Sequence, residues 1–247
     1  MARRPAPLSR AALIDAARVE LGRRGLRGAR VEDITAACGL SKGAFYLHFP
    51  SKESLFGALV RRFERALDAC FKSRRTRTEA FLAEGPITPR DVEQVSPRYK
   101  LLLELEEGED ERTLEVMWEY RDVVAVLISG AQGTPFEGTL WKAVEREAAR
   151  VANEFRAQQA QGICRTDVPP EVFGAMMVGT YLLLAHRLCR MRAKPDLRSW
   201  ARSLQALAHQ GSIPPPSTFS IPVGTKSKSA PSKARRTQTR PSPRSSP

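Results

Sequence analysis

The sequence has little of what metal centres, disulfide scaffolds and membrane spans require. Its 247 residues include four cysteines, Cys38, Cys70, Cys164 and Cys189, widely separated and without a C-x-x-C pair, and three histidines. That set argues against a zinc site and against a disulfide framework, and predicts buried free thiols in a reducing cytoplasm. Long apolar runs are also missing. Phe173 to Ala185 is the longest, about a dozen residues where a membrane-spanning helix needs about 20. The opening MARRPAPLSR leads into Asp15 and Glu20 rather than an apolar stretch, so no secretory signal is expected. No alternating strand pattern of convincing length occurs, which predicts an all-α chain. A P-loop, a G-x-G-x-x-G fingerprint and metal-ligand spacings are absent, so no cofactor, no metal and no enzymatic chemistry are expected.

What is present is basic charge, unevenly spread. The formal net charge is +13, from 40 Lys and Arg against 27 acids. Residues 1–50 hold nine Lys or Arg against four acids, residues 51–211 hold 24 against 23, and residues 212–247 hold seven and no acid. The excess therefore sits at the two ends. A basic N-terminal segment suits phosphate binding, and a neutral middle suits a ligand- or partner-binding domain.

Val31 to Phe49, VEDITAACGLSKGAFYLHF, carries the most information. Val31, Ile34 and Ala37 or Cys38 share one face of a helix from Val31 to Cys38. Gly39 stands where a helix end wants a left-handed residue. Ser41 is placed to cap the next helix through the N–H of Ala44. Phe45 and Phe49, four apart, share its buried face. Pro50 stops it, and Ser51 opens another helix. A short second helix with Ser41, Lys42, Tyr46 and His48 on its accessible side is what a helix-turn-helix protein inserts into the major groove. Gly43, lacking a side chain, permits close backbone approach.

The segment from about Leu8 to Leu67 resembles the DNA-binding domain of the tetracycline repressor (TetR) family. The resemblance rests on Ile34-Thr35, on Cys38 through Phe49, and on Ser51-Lys52-Glu53-Ser54-Leu55. It implies phosphate contacts from Tyr46, His48 and Lys52, and a recognition helix whose start, Ser41, Lys42, Gly43 and Ala44, faces bases and backbone. Thr35 joins this expected interface. One departure stands out: the family's usual Ser or Thr cap before the Val31 position is replaced by Arg30. Glu32 and Asp33 compensate through the helix dipole, and Arg30 is free to reach a phosphate.

The expected organisation is a flexible basic arm at residues 1–7, a helix-turn-helix domain at 8–53, a helical effector-binding and dimerisation domain at 54–211, and a disordered basic tail at 212–247. The arm's Arg3 and Arg4 could enter a minor groove. Helix four should end near Lys72, followed by a broken stretch at 73–96. Further helices are predicted at about 97–107, 110–130, 136–161, 169–192 and 196–210. The last two carry apolar stripes, Val172, Met176, Gly179, Leu183 and His186 on one, Leu197, Trp200, Leu204 and Leu207 on the other. The family resemblance implies that this pair dimerises as a four-helix bundle. Met117, Trp118, Arg121, Trp141, Phe155, Met177 and Tyr181 could line an effector pocket. The expected function is a cytoplasmic transcriptional regulator. It would be a repressor by family habit, binding a palindromic DNA operator as a homodimer and released by a small molecule, with no membrane partner. The competing reading is a ligand-independent DNA-organising protein with little sequence preference, for which the basic tail speaks.

Overall fold

The computed structural model describes residues 7–213. The expectations for Arg3, Arg4 and the basic tail from Pro214 onward lie outside the described residues. Among these residues there are ten α-helices and no strand: α1 Pro7–Gly28, α2 Val31–Ala37, α3 Lys42–His48, α4 Lys52–Ala83, α5 Pro89–Glu93, α6 Pro97–Glu119, α7 Arg121–Ala125, α8 Thr139–Ala160, α9 Pro170–Cys189 and α10 Leu197–Ser212. A π-helical turn, Val126–Gly130, follows α7.

Two helices run further than expected. Residues 73–83 continue α4 because the breakers Gly85 and Pro86 lie beyond them, and Arg74, Arg77 and Thr78 all reach across to α6. Helix α6 passes straight through Gly108 and ends at Tyr120, where the chain restarts as α7. Helix α1 is kinked at Gly25, whose φ of 67° only glycine adopts freely.

One apolar cluster joins α1–α4 to α7. Leu13, Ala17, Leu21, Ile34, Phe45, Leu55, Phe56 and Leu59 are nearly or fully buried and continue into Tyr120, Val123, Val124 and Val126. At this junction Arg18 grips Asp122 with Nε at 2.6 Å and Nη2 at 2.9 Å, and also donates to the Glu119 carbonyl. Close approach is possible because Gly22 faces Asp122 and Gly25 meets Gly130. A second cluster, Leu114, Leu188, Leu197 and Ala201, seats α10 on α6. Helix α9 lies along α8, where Phe155 and Phe173 stack at 4.0 Å. By length and composition α9 is long and apolar enough to cross a membrane, with a mean hydropathy of 1.4; the sequence run had suggested a shorter apolar element. Here it packs on α8, α7 and α6.

All four cysteines are free, with Cys164 buried and the others half-buried. Burial pushes the Cys164 and Cys189 thiols up to about 11, so both stay protonated. A third cluster, Ile87, Val92 and Tyr99, ties α5 and α6 to the end of α10. Burial raises the Tyr99 phenol to about 12 and lowers His209, so Tyr99 donates to a neutral imidazole across 2.7 Å. A histidine depressed in the folded state binds protons better when unfolded. Its contribution is full above its ordinary value of 6.5 and is lost as pH falls below it. The melting temperature should therefore fall between pH 7 and pH 5 by more in wild type than in His209→Gln; equal falls in thermal melts would remove His209 from the cause.

Candidate nucleic-acid interface

The turn between α2 and α3 is built as the residues predict. Leu40 N donates to Thr35 O at 2.9 Å, and Gly39 takes φ 67° at the end of α2. Ser41 Oγ accepts from Ala44 N at 3.1 Å, and Ser51 Oγ from Ser54 N at 3.1 Å, so hydroxyls cap both α3 and α4. Helix α2 begins at Arg30 with no side-chain cap, leaving Glu32 and Asp33 to meet the helix dipole. Phe45 and Phe49, fully and nearly buried, hold α3 against α1 and α2 in the shared core, with ring centroids 5.9 Å apart.

Fixing those two rings turns the opposite side of α3 outward. Ser41, Lys42, Gly43 and Tyr46 are exposed, Ala44 and His48 are half-buried, and Arg30 is exposed beside them. Lys42 Nζ lies 2.5 Å from Glu32 Oε1 on α2. That contact raises Lys42 and lowers Glu32, each through the shared hydrogen bond first. Both are fully exposed, so water screens the pair and Lys42 can exchange its partner for DNA at little cost. Lys52 is half-buried, and its ammonium donates to the carbonyls of Arg27 and Ala29 at 2.9 Å each, which stops the end of α1 and joins it to α4. His48 Nε2 is buried with no hydrogen-bond partner among the described residues.

Thr35 does not belong to this face. It is 4% exposed and its hydroxyl donates to Glu32 O at 3.0 Å, so its place is inside the α2 turn. Sequence reading also passed over Leu47, which is 63% exposed on the outer side of α3. Its position was legible. Two residues along a helix is a rotation of about 200°, so a residue midway between the buried Phe45 and Phe49 must face away from both. Gly39-Leu40-Ser41-Lys42-Gly43 also fits G-x-S-x-G. It lies between two helices rather than after a strand, and its serine hydroxyl is occupied as a cap.

Residues 13–59 match the family model for bacterial regulatory proteins of the tetR family. Those residues form a TetR-family domain. Over 84 residues the chain is 34% identical to YdgC, an HTH-type transcriptional regulator of Bacillus subtilis, covering 34% of this chain and 40% of that one. Over 54 residues it is 43% identical to the HTH-type transcriptional repressor KstR2 of Rhodococcus jostii, covering 22% and 26%. The matches thus span at most two fifths of these curated relatives. The ketosteroid transcriptional regulator KstR2 of Mycobacterium tuberculosis superposes with a TM-score of 0.60 at 19% identity, over 87% of this chain and all of that one. The fatty acid degradation regulator FadR of Bacillus halodurans superposes with a TM-score of 0.54 at 15% identity, over 85% of this chain and 98% of that one. At such identities the likeness establishes the fold, a helix-turn-helix domain followed by a helical domain.

Of the expected effector residues, Met117, Trp118 and Tyr181 pack against the cluster of Leu114 and Leu188, with Arg121 on the Trp118 ring, while Trp141 and Phe155 stand on α8. Trp141 is 60% exposed on α8, and Phe155 is a core residue stacked on Phe173. Met177 is half-buried on α9. Arg121 lies over the Trp118 ring at 4.0 Å and donates to its carbonyl, while Met117 fills space between two core clusters. Tyr181 also adjoins a buried charged network, built in part on residues expected to fall in the broken stretch at 73–96. Arg74 pairs with Asp110 and Glu106, Arg77 with Glu109 at 2.6 Å, and Gln205 with Asp110 at 2.7 Å. Burial disfavours the Arg74 charge, but Asp110 and Glu106 hold it above its ordinary value. Burial, aided by Asp110, drives the Tyr181 phenol well upward against the opposing effect of Arg74.

The expected dimer stripe divides. Val172, Met176, Leu183 and Leu207 are 57%, 48%, 69% and 68% exposed, and His186 is exposed with them. A Cβ at Gly179 would meet no atom within 4 Å. Leu197, however, is buried in the core beneath α10, with Trp200 and Leu204 packed against the same cluster. Helix α10 spends that side on α6, so these three are not the exposed surface the stripe suggested.

Proposed function

We propose that the protein is a DNA-binding transcriptional repressor that acts as a homodimer in the cytoplasm on a palindromic operator and is released by a small-molecule effector. The observation that carries this reading is the outward face of α3, where Lys42, Gly43 and Tyr46 stand exposed over a helix locked from behind by Phe45 and Phe49. Lys42 approaches base edges, Tyr46 and Arg30 approach phosphates, and Lys52 fixes the frame that presents them. The exposed apolar side of α9, from Val172 through Met176 to Leu183, is the surface that a second copy covers, and pairing sets two recognition helices about one DNA turn apart.

An effector entering the helical domain would meet the network around Arg74, Asp110 and Tyr181 rather than the exposed Trp141. Its signal would reach the DNA domain through α7, which Arg18 and Asp122 hold against α1. A ligand that weakens operator binding tenfold is itself bound tenfold less tightly by the DNA complex, about 1.4 kcal/mol of coupling.

Selection of duplexes from random-sequence DNA by the full chain tests the reading. Enrichment of an inverted repeat whose half-sites lie about one helical turn apart is expected. Retention of all sequences alike would instead favour a DNA-organising protein, for which the acid-free segment 212–247 is the supporting feature.

A further inference from the structure

We infer that Leu47 is a specificity-determining residue that reads the C5-methyl group of thymine in the major groove. This rests on the operator-binding reading of α3 above. Leu47 is 63% exposed, on a short helix whose other apolar rings, Phe45 and Phe49, are buried. Lys42, Gly43 and Tyr46 are exposed with it. Gly43 precedes it by four residues, so these two lie along one side of the helix, while Lys42, five residues before it, stands about 140° further round. A Cβ at Gly43 would meet only Ser41 Oγ, at 3.7 Å, so nothing rises between the backbone there and an approaching base edge.

The chemistry of that face selects the target. Ser41, Lys42 and Tyr46 offer polar atoms, which suit phosphates and the donor and acceptor groups of bases. Leu47 alone among them offers a bulky aliphatic group and can gain only by burial. In the major groove the thymine methyl is the one apolar group that a base pair presents. Leu47 therefore favours T·A over C·G at one step of each half-site through apolar burial, while Lys42 discriminates by charge and hydrogen bonding.

The test uses the full chain and the duplex it enriches from random-sequence DNA, with each thymine replaced in turn by deoxyuridine, which deletes only the methyl. One position in each half-site should lose about fourfold in affinity for wild type, the effect of burying one methyl group. For Leu47→Ala the same replacement should cost nothing, and the variant should stay folded because Leu47 supports no buried contact. Losses of equal size in both proteins, or no loss at any thymine, overturn the assignment while leaving operator binding standing. Failure to enrich any duplex overturns the operator reading and the assignment with it.

Discussion

Gly174→Ala should lower the stability of the protein by roughly 3 kcal/mol, toward the upper end of what overpacking usually costs. Gly174 is buried where α9 crosses α8. A Cβ there would run into the backbone carbonyl of Ala148 and lie 3.1 Å from both the Cβ and the N of Ala152. A carbonyl inside a helix cannot swing aside as a side chain can, so the helices must separate. Alanine's better helix propensity returns only about 1 kcal/mol, so the clash wins. Gly108→Ala supplies the opposite sign. It lies within α6, no atom approaches its added Cβ within 4 Å, and the propensity gain remains, up to about 1 kcal/mol. Thermal melts of the two variants should therefore move in opposite directions, by roughly 2–4 °C per kcal/mol for a domain of this size. A Gly174→Ala protein that melts with wild type would mean that α8 and α9 are not packed this closely.

Met176→Glu with Leu183→Glu should leave the protomer folded and abolish its dimer. Both side chains are well exposed in the single chain, 48% and 69%, so charge there costs the protomer little. Between two copies, the same carboxylates would be buried without partners and face their symmetry mates, a cost of several kcal/mol. Sedimentation at micromolar concentration should give a dimer for wild type and a monomer for the variant. Operator affinity should fall by at least about a hundredfold, because the second half-site is no longer held near its DNA. If the variant remains a dimer, another surface holds the copies together.

The helix-turn-helix segment was legible because each of its signals is local. Gly39 ends a helix, Ser41 and Ser51 start helices, and Phe45 and Phe49 repeat at helical spacing; the observed caps and φ angle realise all of them. Errors entered where residue type stood in for direction. Thr35 is expected at the interface, yet it is buried with Val31 and Ile34. Leu47 was passed over as an aliphatic residue although rotation alone placed it outside. In the helical domain the failures are tertiary. Leu197 continues an apolar stripe, but only the packing of α10 on α6 decides that its side is core. The acids of α6 and the arginines of α4 each look like a solvated face, and nothing local in either says that the two faces meet. Trp141 suggested a pocket by size alone, and pockets depend on which helices converge.

The central claim is that α3 reads DNA, with Lys42 addressing base edges and Tyr46 the backbone. Competition binding at fixed salt, with the enriched duplex and a scrambled duplex of equal length, tests it most directly. Lys42→Ala should lose preference between the two duplexes, by about 1–3 kcal/mol per half-site if Lys42 makes a good base contact. Tyr46→Phe deletes only a hydroxyl from a ring that is 50% exposed and packed edge-on to Phe45 at 5.3 Å, so it should weaken both duplexes by the same factor and keep the preference intact. If both variants bind both duplexes as wild type does, α3 is not the element that reads DNA, and the account fails.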